Sequence, residues 1–204
     1  KRLASNKFNL NLYDDQFLIE TDKLPYTIGD LPLVFTHFRK KVEKLVQIRD
    51  EVKISNKKFE IKNYDFEYET SNESGKIEIN KNSNFPFVGG ETSALKRLDS
   101  YLWGDNRIKK YKETRNGLIG TEYSSKFSSF LSLGCISPVT IYHEIKRYEK
   151  KIIKNSSTYW LIFEILWREF FRYVYLKGGK NIFLSDGING NIFNKSFILF
   201  NNII

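Results

Sequence analysis

Phe163-Glu164-Ile165-Leu166-Trp167-Arg168-Glu169-Phe170-Phe171 lies in the middle of the longest helical pattern in a chain of 204 residues. Its boundaries are written into the flanking residues. Asn155-Ser156-Ser157 offers side-chain oxygens to the unpaired amides of a first turn. Gly178-Gly179 supplies the residue type that ends helices. A helix over about 158–177 is expected. At 3.6 residues per turn, Trp160, Glu164, Trp167, Arg168 and Phe171 share one face. Two readings of that face stand side by side. In one, the tryptophans are core and Glu164 pairs with Arg168 at i, i+4. In the other, the face receives a flat ligand, with tryptophan stacking on an exposed base and the carboxylate accepting a ring N–H.

Working upstream, Ser137-Pro138 gives an N-cap followed by proline at the first helical position, and the helix continues through Ile141, Ile145 and Tyr148. Phe85-Pro86-Phe87-Val88-Gly89-Gly90 reads as a turn, and Glu91 opens a helix to about residue 103. A helix is also expected over 33–48, with Val34, Phe38, Lys41, Val42 and Leu45 near one face. His37 lies in it as a surface histidine. Residues 49–84 are poor in apolar residues and read as a linker or long surface loop, with strand-like alternation at 58–62 and 76–79. Another short strand-like stretch falls near 8–13, and pattern is lost after about residue 186.

Between these helices stands Tyr123-Ser124-Ser125-Lys126-Phe127-Ser128, just after Gly117 and Gly120, with a helical pattern following over 127–133. Three hydroxyls and a cation beside outward-pointing helix-start amides suit a phosphate. The same residues also suit a plain serine N-cap. Upstream, Tyr111-Lys112-Glu113-Thr114-Arg115-Asn116-Gly117 puts an aromatic and two cations on a loop. There Arg115 either holds a phosphate or pairs with Glu113.

Composition narrows the classes. The chain is 41% hydrophobic, enough for a packed core, and its 17 Phe, 12 Tyr and 3 Trp suit both packing and stacking. Net charge is +9, which favours polyanionic partners. The single cysteine, Cys135, excludes disulfide scaffolds and cysteine zinc sites, and is expected as a small buried hydrophobe. No metal site is expected. No apolar run reaches the roughly 18 residues of a spanning helix. Methionine is absent, even at position 1, so the chain is expected to be a fragment.

The blocks at 85–92, 111–117 with 123–128, and 163–171, with Gly134-Cys135-Ile136-Ser137-Pro138 between them, closely resemble the cryptochrome/photolyase family, DASH type. The run Asp30-Leu31-Pro32-Leu33-Val34-Phe35-Thr36-His37-Phe38-Arg39-Lys40 resembles the end of that family's N-terminal domain. The resemblance covers roughly residues 10 to 186. It implies a mainly α fold: the first part of a helical FAD-binding domain, preceded by the end of an α/β, Rossmann-like antenna domain and a long linker. The expected boundaries are 1–48 for the antenna remnant, 49–84 for the linker, 85–186 for the partial FAD domain and 187–204 for a divergent tail.

The resemblance further implies FAD as cofactor, with a folate antenna in the complete protein, and blue-light repair of cyclobutane pyrimidine dimers in mainly single-stranded DNA. The expected partner is therefore DNA, with no membrane involved, and the protein is expected to act as a monomer. By motif, Tyr111 contacts the flavin; Ser124, Ser125, Lys126, Phe127 and Ser128 form its phosphate seat; and Arg168 lies on the flavin side. Arg115 touches nucleic-acid backbone, Glu164 hydrogen-bonds the flipped dimer, Trp167 packs on it, and Phe171 adds a nucleic-acid contact. Glu164 and Trp167 are the catalytic candidates. Ser129-Phe130 stands where the family usually has proline and tryptophan, and Val139 where it has arginine. Nothing in the chain matches the second half of the FAD domain. Two alternatives follow: a photoreceptor or nucleic-acid-binding flavoprotein without repair activity, and a nonfunctional truncated product.

Overall fold

The computed structural model describes residues 16–52, 79–80, 82–184 and 187–188. The strand-like stretches at 8–13 and 58–62, that at 76–79 except its last residue, most of 49–84 and the tail from 189 lie outside these. The described residues form helices and turns, with no strand among them. They divide into two compact units.

The first unit takes the chain up to Arg49, Ser137–Val139 and the chain from Tyr159 onward. Its first helix, α1, runs Phe35–Leu45. Phe35, Phe38 and Val42 recur at i, i+3 and i+7, and all three are buried. Val34 and Leu45, expected on the inner face, are exposed instead. Val34 is the extended cap residue and has left the helical register; Leu45 is the last residue of the helix. Phe35, absent from the expected face, therefore anchors the stripe. His37 is exposed, as expected.

The long helix, α6, runs Ser156–Gly178. Ile165, Leu166, Phe170 and Tyr173 are buried on it. The Phe38 ring meets Phe170 at 5.4 Å and Tyr173 at 5.9 Å, and Phe17 stacks on Tyr173 at 5.0 Å. Each such ring pair adds about 0.5–1.5 kcal/mol beyond area burial. The expected stop at Gly178-Gly179 is a change of helix type. The chain continues as a 3-10 turn over Gly179–Phe183, entered by Gly179 at φ 52°. Gly178 permits this, because a Cβ there would meet Ile182 at 2.8 Å and Ile188 at 2.9 Å.

The second unit takes the chain from Asp50 to Ile136 and from Thr140 to Thr158. It contains α2 (Glu91–Asp99), α3 (Tyr111–Thr114), α4 (Phe127–Ser132) and most of α5 (Pro138–Lys151). Helix α2 starts after Gly90 at φ 97° and runs on into a π-helical turn over Ser100–Gly104. Ala94, Arg97, Leu98 and Tyr101 form its buried stripe. Against it lies α4: Phe127 meets Tyr101 edge-on at 5.7 Å, and Phe130 meets Phe85 at 5.4 Å. On α5, Ile141, Ile145 and Tyr148 are fully buried, as their spacing predicts. Tyr148 donates its hydroxyl proton to Asn106 Oδ1 at 2.9 Å, and Trp103 Nε1–H donates to Glu144 Oε2 at 3.1 Å. Cys135 is half-buried rather than enclosed.

The first turn of α6 belongs to this unit. Asn155 Oδ1 accepts the amides of Ser157 and Thr158, each at 2.9 Å, which is the cap that the sequence predicts. Its Nδ2 donates to the Lys109 carbonyl at 3.0 Å, so the cap also joins two segments.

Candidate functional site

The Ser124–Ser128 run falls in the second unit: Ser124, Ser125 and Lys126 end the segment that connects α3 to α4, and Phe127 and Ser128 open α4. Ser124 and Lys126 adopt the left-handed conformation, at φ 56° and 62°, and Gly120 sits at φ 88°. Non-glycine residues hold that conformation only where surroundings compensate its cost. Here the compensation comes from Arg97 of α2. Its Nη2 donates to the carbonyls of Thr121 at 2.9 Å and Ser124 at 3.4 Å, and its Nε donates to the carbonyl of Ser125 at 3.1 Å. The guanidinium lies 5.1 Å from the Phe87 ring centre and 5.0 Å from that of Tyr101. Arg97 is 6% exposed, and this burial pulls its pKa below the usual arginine value.

Three further contacts hold the loop. Asn84 Oδ1 accepts the Gly120 amide at 2.8 Å. Arg107 donates to Glu122 Oε1 and to Asp105 Oδ2, both at 3.0 Å, and holds the exposed Glu122 carboxyl below its usual pKa. The Tyr123 ring covers Gly117 so closely that a Cβ there would lie 2.3 Å from Tyr123 Cγ.

Ser125 Oγ accepts the Phe127 amide at 3.4 Å in a local turn, but the residue that caps α4 is Lys126, whose side chain makes no capping bond, so the plain serine N-cap is not formed. This does not exhaust the hydroxyl, which retains its own proton to donate. Ser128 is exposed on the first turn of α4, and with Ser129, Ser132 and Leu133 it lines an open depression of about 410 Å³. Hydroxyls and an ammonium on a loop held in left-handed turns are a donor set that fits an anionic diphosphate. Tyr111 opens α3 and is buried, 6% exposed. Arg115 caps the end of that short helix, donating its amide to the Tyr111 carbonyl at 2.9 Å. The expected loop at 111–114 is thus helical. Glu113, weighed as a partner for Arg115, accepts the Ser157 hydroxyl at 3.0 Å.

Glu164, Trp167, Arg168 and Phe171 lie on α6 in the first unit. The Trp167 ring is stacked on Phe35 at 3.7 Å and 13°, and on Phe171 at 5.4 Å and 24°. Phe171 itself is 61% exposed. Arg168 donates to the Gln16 carbonyl at 3.0 Å and to Glu169 Oε1 at 2.9 Å. Glu169 is fully buried and accepts the Leu18 amide at 2.8 Å; the Tyr173 hydroxyl lies 3.4 Å away. Burial pushes the Glu169 carboxyl up to about 7, against the attraction of Arg168 and the amide hydrogen bonds.

Arg97, Glu169 and Phe35 escaped the motif reading. The signal for two of them was a charge on an apolar stripe. Arg97 shares its face with Ala94, Leu98 and Tyr101, and Glu169 shares its face with Ile165, Leu166 and Tyr173. Among the described residues, no group of three His, Cys, Asp or Glu is placed to hold a metal ion. None of their helices is long and apolar enough to cross a membrane.

No family model matches the chain. Individual relatives do. A cryptochrome DASH of Synechocystis sp. is 44% identical over 183 residues, which are 88% of this chain and 37% of the relative. The cryptochrome DASH of Danio rerio is 43% identical over 194 residues, 91% of this chain and 36% of the relative. The chloroplastic/mitochondrial cryptochrome DASH of Arabidopsis thaliana is 39% identical, covering 90% of this chain and 33% of the relative. The chain belongs to the cryptochrome/photolyase family, DASH type.

The crystal structure of a Synechocystis sp. PCC6803 cryptochrome superposes with a TM-score of 0.72 at 40% identity, covering 86% of this chain and 37% of that one. A class III photolyase from Agrobacterium tumefaciens superposes at 0.70 with 23% identity, over 88% of this chain and 37% of that one, a likeness of fold alone. The helical architecture expected for this DASH-type chain is the one observed. The chain spans between 33% and 37% of the length of these curated relatives.

Proposed function

We propose that this DASH-type chain supplies the diphosphate-binding part of an FAD site in a light-driven pyrimidine-dimer photolyase acting mainly on single-stranded DNA. The single observation that supports the reading most is the Arg97-braced loop carrying Ser124, Ser125 and Lys126, with Ser128 on the first turn of the helix that follows. Hydroxyl donors and the Lys126 ammonium on that loop suit the two phosphates. Bound there, reduced FAD would supply, on excitation by blue light, a reversible electron donor for splitting the cyclobutane ring.

The protein's own residues bind and orient. Glu164 accepts a hydrogen bond from the dimer, Trp167 and Phe171 pack against it, and Arg115 meets the nucleic-acid backbone. Tyr111 packs on the cofactor, and Arg168 braces the helix that carries Glu164. The test is illumination of the purified flavin-loaded protein with a dimer-containing single-stranded oligonucleotide. Light-dependent loss of dimers is expected; their persistence with flavin bound contradicts the repair reading.

One observation favours a second reading, a flavin-dependent photoreceptor or nucleic-acid-binding protein without repair. Trp167 stacks on Phe35 and on Phe171, so part of its ring surface is taken up by neighbouring aromatics rather than offered to a base. Equal affinity for damaged and intact single strands, with no repair in light, would select it.

A further inference from the structure

We propose that Arg97 is the positioning residue of the cofactor loop: it fixes the peptides at 121–126 so that their amides face a bound diphosphate. The proposal rests on the flavin reading above for the identity of the ligand. Its geometry stands independently.

In a trans peptide the C=O and the following N–H point in opposite directions. All peptide bonds among the described residues are trans. Arg97 draws the carbonyls of Thr121, Ser124 and Ser125 toward one guanidinium. The amides of Glu122, Ser125 and Lys126 must therefore point away from it. Two of these, Ser125 and Lys126, are successive, and they lie in the stretch where Ser124 and Lys126 adopt left-handed φ. Successive amides in such a turn form a concavity of partial positive charge that receives anions. A buried cation on one side and outward N–H groups on the other give the loop a direction.

The residue type matters. An arginine reaches three carbonyls because its donors form a planar fork, and its guanidinium also lies within about 5 Å of two ring centres. Lysine carries the same charge as a single point and reaches fewer acceptors. Glutamine carries no charge. A merely space-filling role would treat Arg97→Lys and Arg97→Gln alike. A positioning role ranks them.

The experiment follows amide hydrogen exchange and FAD binding together, in the wild-type chain and in both variants. Without ligand, Arg97→Gln is expected to raise exchange by about tenfold or more at the Gly120 and Phe127 amides, whose acceptors Asn84 Oδ1 and Ser125 Oγ are met while the loop keeps its shape. Protection of α5 should hold, and Arg97→Lys should recover part of the loop's protection. FAD affinity should fall in the same order. Equal exchange at the Gly120 and Phe127 amides in wild type and Arg97→Gln overturns the proposal. So does loss of α5 protection in both variants, which would make Arg97 a core residue and nothing more. The two readings fail separately. A loop that loosens in a wild-type-ranked series that never binds FAD upholds the positioning role and removes the flavin. Tight FAD binding with an unchanged loop does the reverse.

Discussion

The ring of Trp167 lies on the ring of Phe35, with centroids 3.7 Å apart and planes 13° from parallel. Phe35 also meets Phe163 edge-on at 5.1 Å and Phe170 at 5.6 Å, so it joins α1 to the aromatic face of α6. Removing it should expose the indole and empty a core position. Phe35→Ala is expected to cost about 3–5 kcal/mol and to shift Trp167 emission to the red. Chemical denaturation and the fluorescence difference against Trp167→Phe check both. An unshifted spectrum would show that Phe35 does not cover the indole.

Glu169 makes a pH prediction with a definite sign. Its carboxyl is pushed up to about 7 in the fold by burial, above its unfolded value. Between the two values the folded protein holds a proton that the unfolded chain has released. Stability therefore contains a contribution that is complete below the unfolded value, shrinks as pH rises toward about 7, and is gone above it. Glu169→Gln, which keeps an acceptor oxygen for the Leu18 amide, should lack that slope. Denaturation midpoints measured across this window should fall with pH in the wild type relative to the variant. Parallel profiles would contradict the assignment.

Asn155 closes the first turn of α6 with two accepted amides and one donated bond. Asn155→Ala should cost about 1–2 kcal/mol, the upper part of the range for a lost N-cap. A thermal melt reads the loss, and Asn155→Asp should recover most of it, since a carboxylate accepts the same amides and suits the helix dipole.

Much of this architecture is legible in the sequence because its causes are local. Ser137-Pro138 starts α5, Asn155 caps α6, and the Ile141, Ile145 and Tyr148 spacing marks a buried face. The rest depends on partners distant along the chain. Arg97 contacts carbonyls 24 to 28 residues away, and Glu169 accepts an amide 151 residues away. Periodicity marks such a charge as an exception on an apolar stripe without naming what it touches. The family resemblance points to Ser124–Ser128 and the α6 face as candidates, while the residues that brace them are legible only in their contacts. Val34, counted on the inner face of α1, stands as its extended cap, because helical spacing does not itself say where a helix begins.

Gly117 tests how closely the segment before α4 is packed. A methyl group there would overlap the Tyr123 ring, so Gly117→Ala must displace either the ring or the loop. Weaker FAD binding is expected by calorimetry, with recovery on adding Tyr123→Gly, which removes both the ring and the Cβ that a methyl at 117 would meet at 2.7 Å. A double variant no better than the single one would show that the overlap is not the cause.

The most direct test of the central claim compares FAD with riboflavin, which has the same ring system and no phosphates, by calorimetric titration of the wild-type chain and of Ser124→Ala/Ser125→Ala/Ser128→Ala. The account predicts that FAD binds more tightly than riboflavin, and that the triple variant loses about tenfold or more for FAD, equivalent to about 1.4 kcal/mol, with little change for riboflavin. Equal FAD affinity in wild type and triple variant would contradict it.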